Sequence, residues 1–276
     1  MAMQKYIIII ILFIIFFLLG FFIIGGLISS ALEIEKIKFY KKENQNVLIR
    51  ILHISDMHYP KNGVPLNEII HQAKALRPDL IFLTGDIIDS LTTHDEIQEL
   101  DTFFNELGNT ARCYAVYGNH ESINSNLLYY NTLLSSNNII LINDCFEQVT
   151  INEKNIVIAG LGDSREFSHE NIKDLNTISP DAVLFLLAHR PEYWQDYLSY
   201  SGVKPLMTFS GHAHGGQFRF FGKGLYSPNQ GFFPKYDSGL YKDDENSMIV
   251  SRGLGNSMMN LRLYNRFHMP FVEIKI

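Results

Sequence analysis

The sequence predicts an α/β fold of mainly parallel strands covered by helices on both faces, preceded by one membrane helix. Three features predict it. Short, fully apolar segments alternate with segments of helical spacing, several of the apolar segments end in Asp, Asn or His, and a long uncharged run opens the chain. Fully apolar strands that alternate with helices are typical of parallel sheets buried on both faces. With 276 residues, of which 46% are hydrophobic, the chain fits one such domain plus a short appendage.

Residues 1–31 are predicted to form a membrane anchor. No charged residue occurs between Tyr6 and Ile28, and a helix of this length spans about 34 Å, enough to cross the hydrocarbon core. The tripeptide Ser29-Ser30-Ala31 leaves cleavage as a signal peptide open. The lysines after the run favour a cytoplasmic domain, whereas the short segment before it is typical of an export anchor. We expect a single-pass membrane protein with an extracytoplasmic domain.

The remaining elements follow in chain order. Residues 32–46 alternate apolar and polar and are predicted to be an edge strand or linker, and 47–276 form the main domain. Strands are predicted at 47–56, 79–86, 113–120, near 139–142, 147–151 and 155–161, at 182–189 and at 206–214. Helices are predicted at 66–76, 95–107, 127–134 and 191–200. Further strands are predicted around FRFF, SMIVSRGL and FVEIKI, between Gly-rich and Pro-rich turns.

Charge and cysteine content exclude some classes of function. The net charge of −6 argues against a domain that binds nucleic acid through its overall field, so no nucleic-acid partner is expected. The two cysteines lie far apart and predict neither a disulfide framework nor a Cys-based zinc site. No obligate protein partner is evident in the sequence.

Polar side chains follow five of the predicted strands, in the segments ISDMH, TGDIID, YGNHE, LAHRP and SGHAH. The carboxyl ends of strands in open α/β sheets converge on one crevice, so these side chains are expected to meet. Crowded carboxylates and imidazoles need a compensating charge, which a divalent metal ion supplies. The period of a strand would point both polar residues of D-x-H the same way. Nitrogen and oxygen ligands suit Mn, Fe or Zn.

The motifs D-x-H, G-D, G-N-H-E, a lone His and G-H-x-H occur in this order from Asp56 to His214. Together they resemble the calcineurin-like metallophosphoesterase superfamily. The run GHAHGGQFR, followed by GLY and SRGLG, is similar to its bacterial membrane-associated branch, which includes relatives of UDP-2,3-diacylglucosamine pyrophosphatases. The resemblance implies a four-layer α/β/β/α sandwich.

The resemblance also implies two divalent ions, Mn, Fe or Zn, that share one carboxylate. One ion would be held by Asp56, His58, Asp86 and His214. The other would be held by Asp86, Asn119, His189 and His212. His120 would stand near the leaving-group oxygen as a general acid. Asp89 resembles the carboxylate that orients this imidazole, and a cap or turn role is the alternative for it.

The implied function is hydrolysis of a phosphodiester or pyrophosphate. Two ions lower the pKa of a shared water, and the resulting hydroxide attacks phosphorus. Ser90 and Leu91 follow Asp89 where protein phosphatases of the superfamily have D-R-G, which disfavours protein phosphatase activity. The anchor suggests a small-molecule or lipid-linked substrate in the membrane or envelope. Nucleotide or nucleic-acid phosphodiesterase activity at the same site, and a non-catalytic metal-binding scaffold, remain open alternatives.

Two further regions draw expectations. Residues 218–241 are rich in aromatics and could form an apolar substrate wall, contact the bilayer surface or pack in the core. His268 lies near Arg262 and Arg266, where a cation could hold a substrate phosphate, but a solvated surface is favoured. The other histidines receive no role. His53 is expected to pack internally, and His71, His94 and His169 are expected to be exposed.

Overall fold

A computed structural model of the chain describes residues 2–41, 47–163, 182–200, 204–256 and 261–276. His169 lies outside these residues. Within them the helices are α1 (Ala2–Ser29), α2 (Leu66–Leu76), α3 (His94–Glu99), α4 (Asp101–Thr110), α5 (Leu127–Ser136) and α6 (Trp194–Tyr200). The first strands are β1 (Leu32–Tyr40), β2 (Leu48–Ile54), β3 (Leu80–Thr84), β4 (Arg112–Val116), β5 (Ile139–Leu141), β6 (Cys145–Ile151), β7 (Lys154–Leu161) and β8 (Val183–Ala188). The later strands are β9 (Met207–Ser210), β10 (Arg219–Phe220), β11 (Lys223–Gly224), β12 (Tyr226–Ser227), β13 (Gly231–Phe232), β14 (Gly239–Asp243), β15 (Asn246–Val250) and β16 (Phe267–Lys275).

The described strands form two six-stranded sheets and two short hairpins. The first sheet has the order β1-β16-β2-β3-β4-β5, and β2 to β5 run parallel. The second has the order β14-β15-β9-β8-β7-β6, and β15, β9, β8 and β7 run parallel. The hairpins pair β10 with β11 and β12 with β13. The mainly parallel arrangement confirms the α/β prediction.

Apolar strands build the core on both faces of each sheet. In β3, Leu80 and Phe82 face the second sheet, whereas Ile81 and Leu83 face the helices. Helices α2 to α5 cover the outer face of the first sheet, and α6 covers the outer face of the second. Because a strand buried on both faces needs apolar residues at every position, this arrangement explains the unbroken apolar runs in the sequence. The four-layer α/β/β/α sandwich is confirmed.

One predicted helix is divided in the structure. The sequence predicts a single helix over 95–107, but α3 ends and α4 begins around Leu100. The amide of Leu100 donates to the carbonyl of Ile97, only three residues back, at 3.0 Å. This tighter turn directs the buried Leu100 into the core, and apolar periodicity does not reveal such a change in direction.

Helix α1 contains the predicted anchor. Its segment Met3–Ser29 is long and apolar enough to cross a membrane, with a mean hydropathy of 3.6. Most of its side chains are exposed, but Gly25 and Ser29, in its last two turns, are buried against the rest of the protein. Strand β1 follows directly and pairs with β16 at the edge of the first sheet.

Candidate metal centre

Seven side chains predicted to bind metal lie beyond the carboxyl ends of five strands. Two follow β2, one follows β3, one follows β4, one follows β8 and two follow β9. In that order they are Asp56 and His58, Asp86, Asn119, His189, and His212 and His214. All except Asn119, which is half-buried, are buried. The parallel direction of these strands places the seven residues in one crevice between the two sheets.

The ligand atoms gather into two compact groups. Asp56, His58 and His214 form one, and Asp86, His189 and His212 form the other; within each group the atoms lie within 4.8 Å of one another. In the first group, the Nε2 atoms of His58 and His214 are 3.1 Å apart. In the second, His212 Nδ1 is 3.2 Å from His189 Nε2. Two imidazole nitrogens that face each other in a buried site are readily explained by a shared cation.

Asp86 belongs to the second group and also approaches the first. Its Oδ2 is 3.3 Å from His189 Nε2 and 3.6 Å from His58 Nε2, so a single oxygen faces a ligand atom of each group. Its Oδ1 accepts a hydrogen bond from the amide of His120 at 2.8 Å, which fixes the orientation of the carboxylate. This geometry suits the bridging role predicted from the resemblance.

The backbone at the site is strained. Five of the predicted ligands have φ between 47° and 64°, in the left-handed region that residues other than glycine rarely adopt: Asp56, His58, Asp86, His212 and His214. Strand β2 ends at Ile54 and β9 ends at Ser210, so the pairs D-x-H and H-x-H lie beyond their strands. The alternation of side chains along a strand therefore does not explain why the two residues of each pair point the same way, and that expectation was wrong. Left-handed turns orient them, and such strain is concentrated at functional sites.

Two glycines allow the close packing around the carboxylates. A Cβ atom at Gly118 would lie 2.2 Å from Asp86 Oδ1, and one at Gly211 would lie 2.2 Å from Asp56 Oδ2. Any side chain at either position would displace a predicted ligand. The glycines in G-N-H-E and G-H-x-H thus have a steric role that is separate from turn formation.

The polar atoms at the site fit a divalent cation. Asp56 Oδ2 and Asn119 Oδ1 are buried and have no hydrogen-bond partner among the described residues. Burial lowers the pKa of His58 to about 4, and it also lowers the pKa values of His212 and His214. These three imidazoles are therefore neutral at pH 7, with nitrogen lone pairs available to a metal ion.

The charge balance also favours a cation. Burial alone would lower the pKa of His189, but the carboxylates of Asp86 and Asp56 outweigh it and raise this pKa to about 10. His189 Nδ1 donates to the carbonyl of Thr84 at 2.8 Å, which leaves Nε2 facing Asp86. The same carboxylates that hold a proton on Nε2 would attract a metal ion to that position, and the hydrogen bond to Thr84 orients the ring.

His120 lies beside the two groups, with 28% of its side chain exposed. Its Nε2 is 4.0 Å from Asp86 Oδ2, and its Nδ1 accepts a hydrogen bond from the amide of Ser90 at 3.1 Å. Because Nδ1 is an acceptor, the neutral ring carries its proton on Nε2, on the side of Asp86. To donate this proton to a departing group and remain a neutral imidazole, the ring must first take up a second proton at Nδ1, on the side of Asp89.

Asp89 and His120 form a third group with His58. Two of its ligand atoms already have donors, because Asp89 Oδ2 accepts from Lys61 Nζ at 3.1 Å and His120 Nδ1 accepts from Ser90. Asp89 Oδ1 also accepts from the amide of Leu91, a turn contact. Asp89 Oδ2 lies 3.7 Å from His120 Nδ1. This group suits a metal ion less well than the other two, and the orienting role of Asp89 stays a prediction.

Glu121 is a residue of the candidate site whose role the sequence does not reveal. Its side chain is fully buried and accepts hydrogen bonds from the amides of Asp86, Ile87, Ile88 and Gly118 at 2.6–3.1 Å. It thereby joins the loop that carries Asp86 to the loop that carries Asn119. The Glu of G-N-H-E follows a predicted strand in the sequence, but an acidic residue in a loop gives no signal of burial.

Replacement of Glu121 by glutamine is expected to destabilise the protein. Burial raises the pKa of Glu121 to about 7, whereas its backbone donors favour the carboxylate. An amide NH₂ in place of one oxygen would face these donors, at a cost of about 3 kcal/mol or more in the free energy of unfolding. Thermal unfolding of the full chain in detergent measures the change. Glu68→Gln on the exposed surface of α2 is the control. Equal thermal unfolding midpoints for the two variants would contradict the role of Glu121 as a clamp that joins the two loops.

Three of the remaining histidines lie where they were expected, and one does not. His53 is buried and bonded to Thr84 Oγ1 at 2.7 Å, and His71 and His94 are exposed, as expected. The surface expected around His268 is wrong, because His268 is fully buried and its Nε2 lies 2.9 Å from Glu35. Arg262 is buried as well and donates to the carbonyls of Arg252 and Gly255. Strand β1 pairs with β16 beside His268, which explains the burial of His268.

Comparison with known proteins places this site in a family. The family model for calcineurin-like phosphoesterases matches residues 49–216, which contain all seven predicted ligands and His120.

The chain belongs to the calcineurin-like phosphoesterase family.

This phosphoesterase is similar to metallophosphoesterase YkuE of Bacillus subtilis, with 26% identity over 231 residues, 82% of this chain and 79% of that protein. It is also similar to a Danio rerio transmembrane protein with metallophosphoesterase domain, with 26% identity over 82% of this chain and 53% of that protein, so it spans about half of that relative's length. Among solved structures, TT1561 of Thermus thermophilus aligns with a TM-score of 0.51 and 13% identity, over 75% of this chain and 91% of that one. This last likeness concerns the fold. Family and relatives together identify the chain as a phosphate-ester hydrolase.

Proposed function

We propose that this phosphoesterase hydrolyses a phosphodiester or pyrophosphate bond with two divalent ions, beside a membrane that holds α1. One observation carries the proposal. Two groups of buried His and Asp ligand atoms meet at the carboxylate of Asp86, which belongs to one group and approaches the other, and His120 stands outside both. A pair of bound ions at such a site lowers the pKa of a water molecule and neutralises phosphoryl oxygens.

The ligands are proposed to divide as the resemblance implies. Asp56, His58 and His214 would hold one ion, and Asn119, His189 and His212 would hold the other; the grouping of the His and Asp atoms supports this division, as does the unpartnered oxygen of Asn119. Asp86 contributes to both. The strained loops and the Glu121 clamp hold these groups in place before the substrate arrives, so little reorganisation is needed during the reaction.

His120 acts on the leaving group. Its Nε2 lies on the side of Asp86, the ring is open enough to touch a substrate, and the imidazolium form can give up the Nε2 proton and remain a neutral imidazole. Donation of this proton to the departing oxygen is worth about 10²–10⁴-fold in rate for a well-placed general acid. A metal-binding scaffold has no need of such a group, so the intact His120 favours an enzyme over a scaffold.

The substrate is proposed to be lipid-linked or envelope-associated because α1 confines the enzyme to a membrane. Nucleotide and nucleic-acid diesters would undergo the same chemistry, and the net charge of −6 disfavours the latter. Mn, Fe and Zn all suit the nitrogen and oxygen ligands. The extracytoplasmic side is proposed for the catalytic domain, and a reporter fused to the C-terminus tests it.

The full chain in detergent, loaded with Mn²⁺, is expected to hydrolyse bis(p-nitrophenyl) phosphate and to lose this activity to a chelator. A parallel screen with Fe²⁺ and Zn²⁺ should cover phosphomonoesters, nucleotides and lipid pyrophosphates, and the greatest rate is expected with the lipid pyrophosphates. If the protein loaded with Mn²⁺, Fe²⁺ or Zn²⁺ hydrolysed none of these esters, the proposed hydrolysis would be contradicted. A preference for nucleotides would contradict only the lipid assignment.

A further inference from the structure

Two adjacent hairpins carry an exposed aromatic surface. We call it the aromatic tip, and it consists of Phe220 and Phe221 on the hairpin β10–β11 and Phe232 and Phe233 on the hairpin β12–β13. All four side chains are exposed, Phe221 fully and Phe233 by 74%. Large aromatic groups gathered in water mark a contact surface of some kind.

The turn of the first hairpin makes the exposure of Phe221 costly. Phe220 pairs with Lys223, so Phe221 and Gly222 form a two-residue loop. Both have positive φ, 50° and 79°, a combination that favours Asn-Gly and is unfavourable for a bulky residue. Phe233 has a φ of 54° as well. Strained and solvent-exposed phenylalanines stabilise the isolated domain poorly, which points to a contact outside it.

The aromatic tip is continuous with α1. Phe220 stacks on Phe21 of α1 with a centroid distance of 6.1 Å, and Tyr264 packs on the same ring at 4.8 Å. Phe21 lies seven positions before Ile28, the end of the uncharged run of 23 residues. Since about 20 residues cross the hydrocarbon core, Phe21 is inside the core when α1 spans the membrane. Phe220 stacks on Phe21 and therefore lies at the depth of the hydrocarbon core as well.

The junction between α1 and the domain is close and specific. A Cβ at Gly25 would lie 2.5 Å from a side-chain carbon of Leu263, so only glycine permits this approach. Tyr264 donates its hydroxyl to the carbonyl of Phe21 at 3.1 Å, and the amide of Asn265 donates to Ser29 Oγ at 2.9 Å. These contacts hold the domain in one orientation against the helix.

The segment that contacts α1 is also hydrogen-bonded to the candidate metal centre. Asn265 Nδ2 donates to the carbonyl of His214 at 2.7 Å, and Arg219 of β10 donates to the carbonyl of Gly215 at 2.8 Å. The turn that carries the ligand His214 is therefore bonded both to the segment that receives α1 and to the first hairpin. Seating the aromatic tip in a bilayer would fix the height of the metal centre above it.

We propose that the aromatic tip inserts into the bilayer that holds α1, so that the metal centre takes phosphate groups of lipids at the membrane surface. Phe221 and Phe233 enter the acyl region, and the exposed Lys223 and Lys235 lie at the level of the headgroups. The insertion rests on the proposed anchoring by α1. Its lipid-phosphate consequence also rests on the proposed hydrolysis.

Tryptophan probes in the full chain test the insertion. Phe221→Trp and Phe233→Trp, each reconstituted in liposomes, are expected to emit at shorter wavelength and to lose most of that emission when the lipids carry brominated acyl chains. The native Trp194 is only 2% exposed and gives the background in the wild-type protein. The strain at the probed positions is unchanged, because one aromatic residue replaces another.

Two further probes separate the possible failures. Phe13→Trp, within α1, should be quenched, and Leu128→Trp, exposed on α5, should not, because α5 packs at β5 on the sheet edge opposite β1. An unquenched Phe13 probe would overturn the anchoring itself. A quenched Phe13 probe with unquenched tip probes would overturn the insertion alone. Tip emission that is shifted but unquenched would assign the surface to a second copy of the chain.

An activity comparison tests the consequence for catalysis. The double variant Phe221→Asn/Phe233→Asn places residues suited to positive φ at both positions, so its thermal midpoint should equal or exceed that of the wild type. It is expected to keep its rate on soluble bis(p-nitrophenyl) phosphate and to lose rate on a phosphate ester embedded in vesicles. An unchanged rate on the vesicle substrate would overturn the lipid-phosphate assignment, and the probes would still report on insertion.

Discussion

Replacement of Asp86 by asparagine is expected to abolish hydrolysis. The carboxylate lies 3.3 Å from His189 and 3.6 Å from His58, so its loss removes a ligand from both groups at once. Burial would raise the pKa of this carboxyl, but His189 and its neighbours outweigh burial and hold the pKa well below its usual range. The charge that asparagine lacks is therefore present at pH 7. Since bound ions contribute several kcal/mol to the transition state, a loss of more than about 10³-fold is expected.

The measurement is the turnover of bis(p-nitrophenyl) phosphate together with the metal content of the same sample. Asp95→Asn is the matched control, because the side chain of Asp95 is 98% exposed on α3. The control is expected to keep both activity and metal. Full activity in the Asp86 variant would contradict the bridging role, and so would an unchanged content of metal.

Replacement of His120 by asparagine is expected to slow the reaction by about 10²–10⁴-fold, the usual contribution of a general acid. The size of the effect should depend on the leaving group. A p-nitrophenolate departs without a proton, so the loss should be smallest on p-nitrophenyl esters and largest on alkyl esters. The content of metal should be unchanged, because the side chain lies outside the two main ligand groups.

The rates of both substrates, with metal content measured alongside, check this expectation. His94→Asn is the control, since His94 is exposed at the start of α3. A loss of metal in the His120 variant would make this residue a ligand, in keeping with the third group. An equal loss on alkyl and p-nitrophenyl esters would argue against proton donation.

Much of the fold could be predicted because burial on both faces leaves a plain signal. The run at 79–86 contains β3, and the helix predicted at 66–76 is α2 without change. The division around Leu100 was missed, since it depends on a local change in backbone hydrogen bonding that keeps the apolar spacing. The burial of His268 was missed because it depends on β1, a strand distant in sequence.

The sequence predicted which residues gather at the candidate site, but not the conformation of their backbone. Order along the chain singled out Asp56 through His214, and the parallel strands bring these residues together. The sequence did not fix left-handed backbone at Asp56 or His58, because Asp and His adopt it more often than most residues but still only rarely. The clamp by Glu121 was also hidden, since an acidic residue in a loop is more often exposed than buried under four amides.

Anomalous diffraction from crystals of the Mn²⁺-loaded protein tests the two-ion site most directly. Two peaks are expected on either side of Asp86, one against Asp56, His58 and His214 and the other against Asn119, His189 and His212. A single peak would contradict the site proposed above, and a peak among His58, Asp89 and His120 would replace it with the third group.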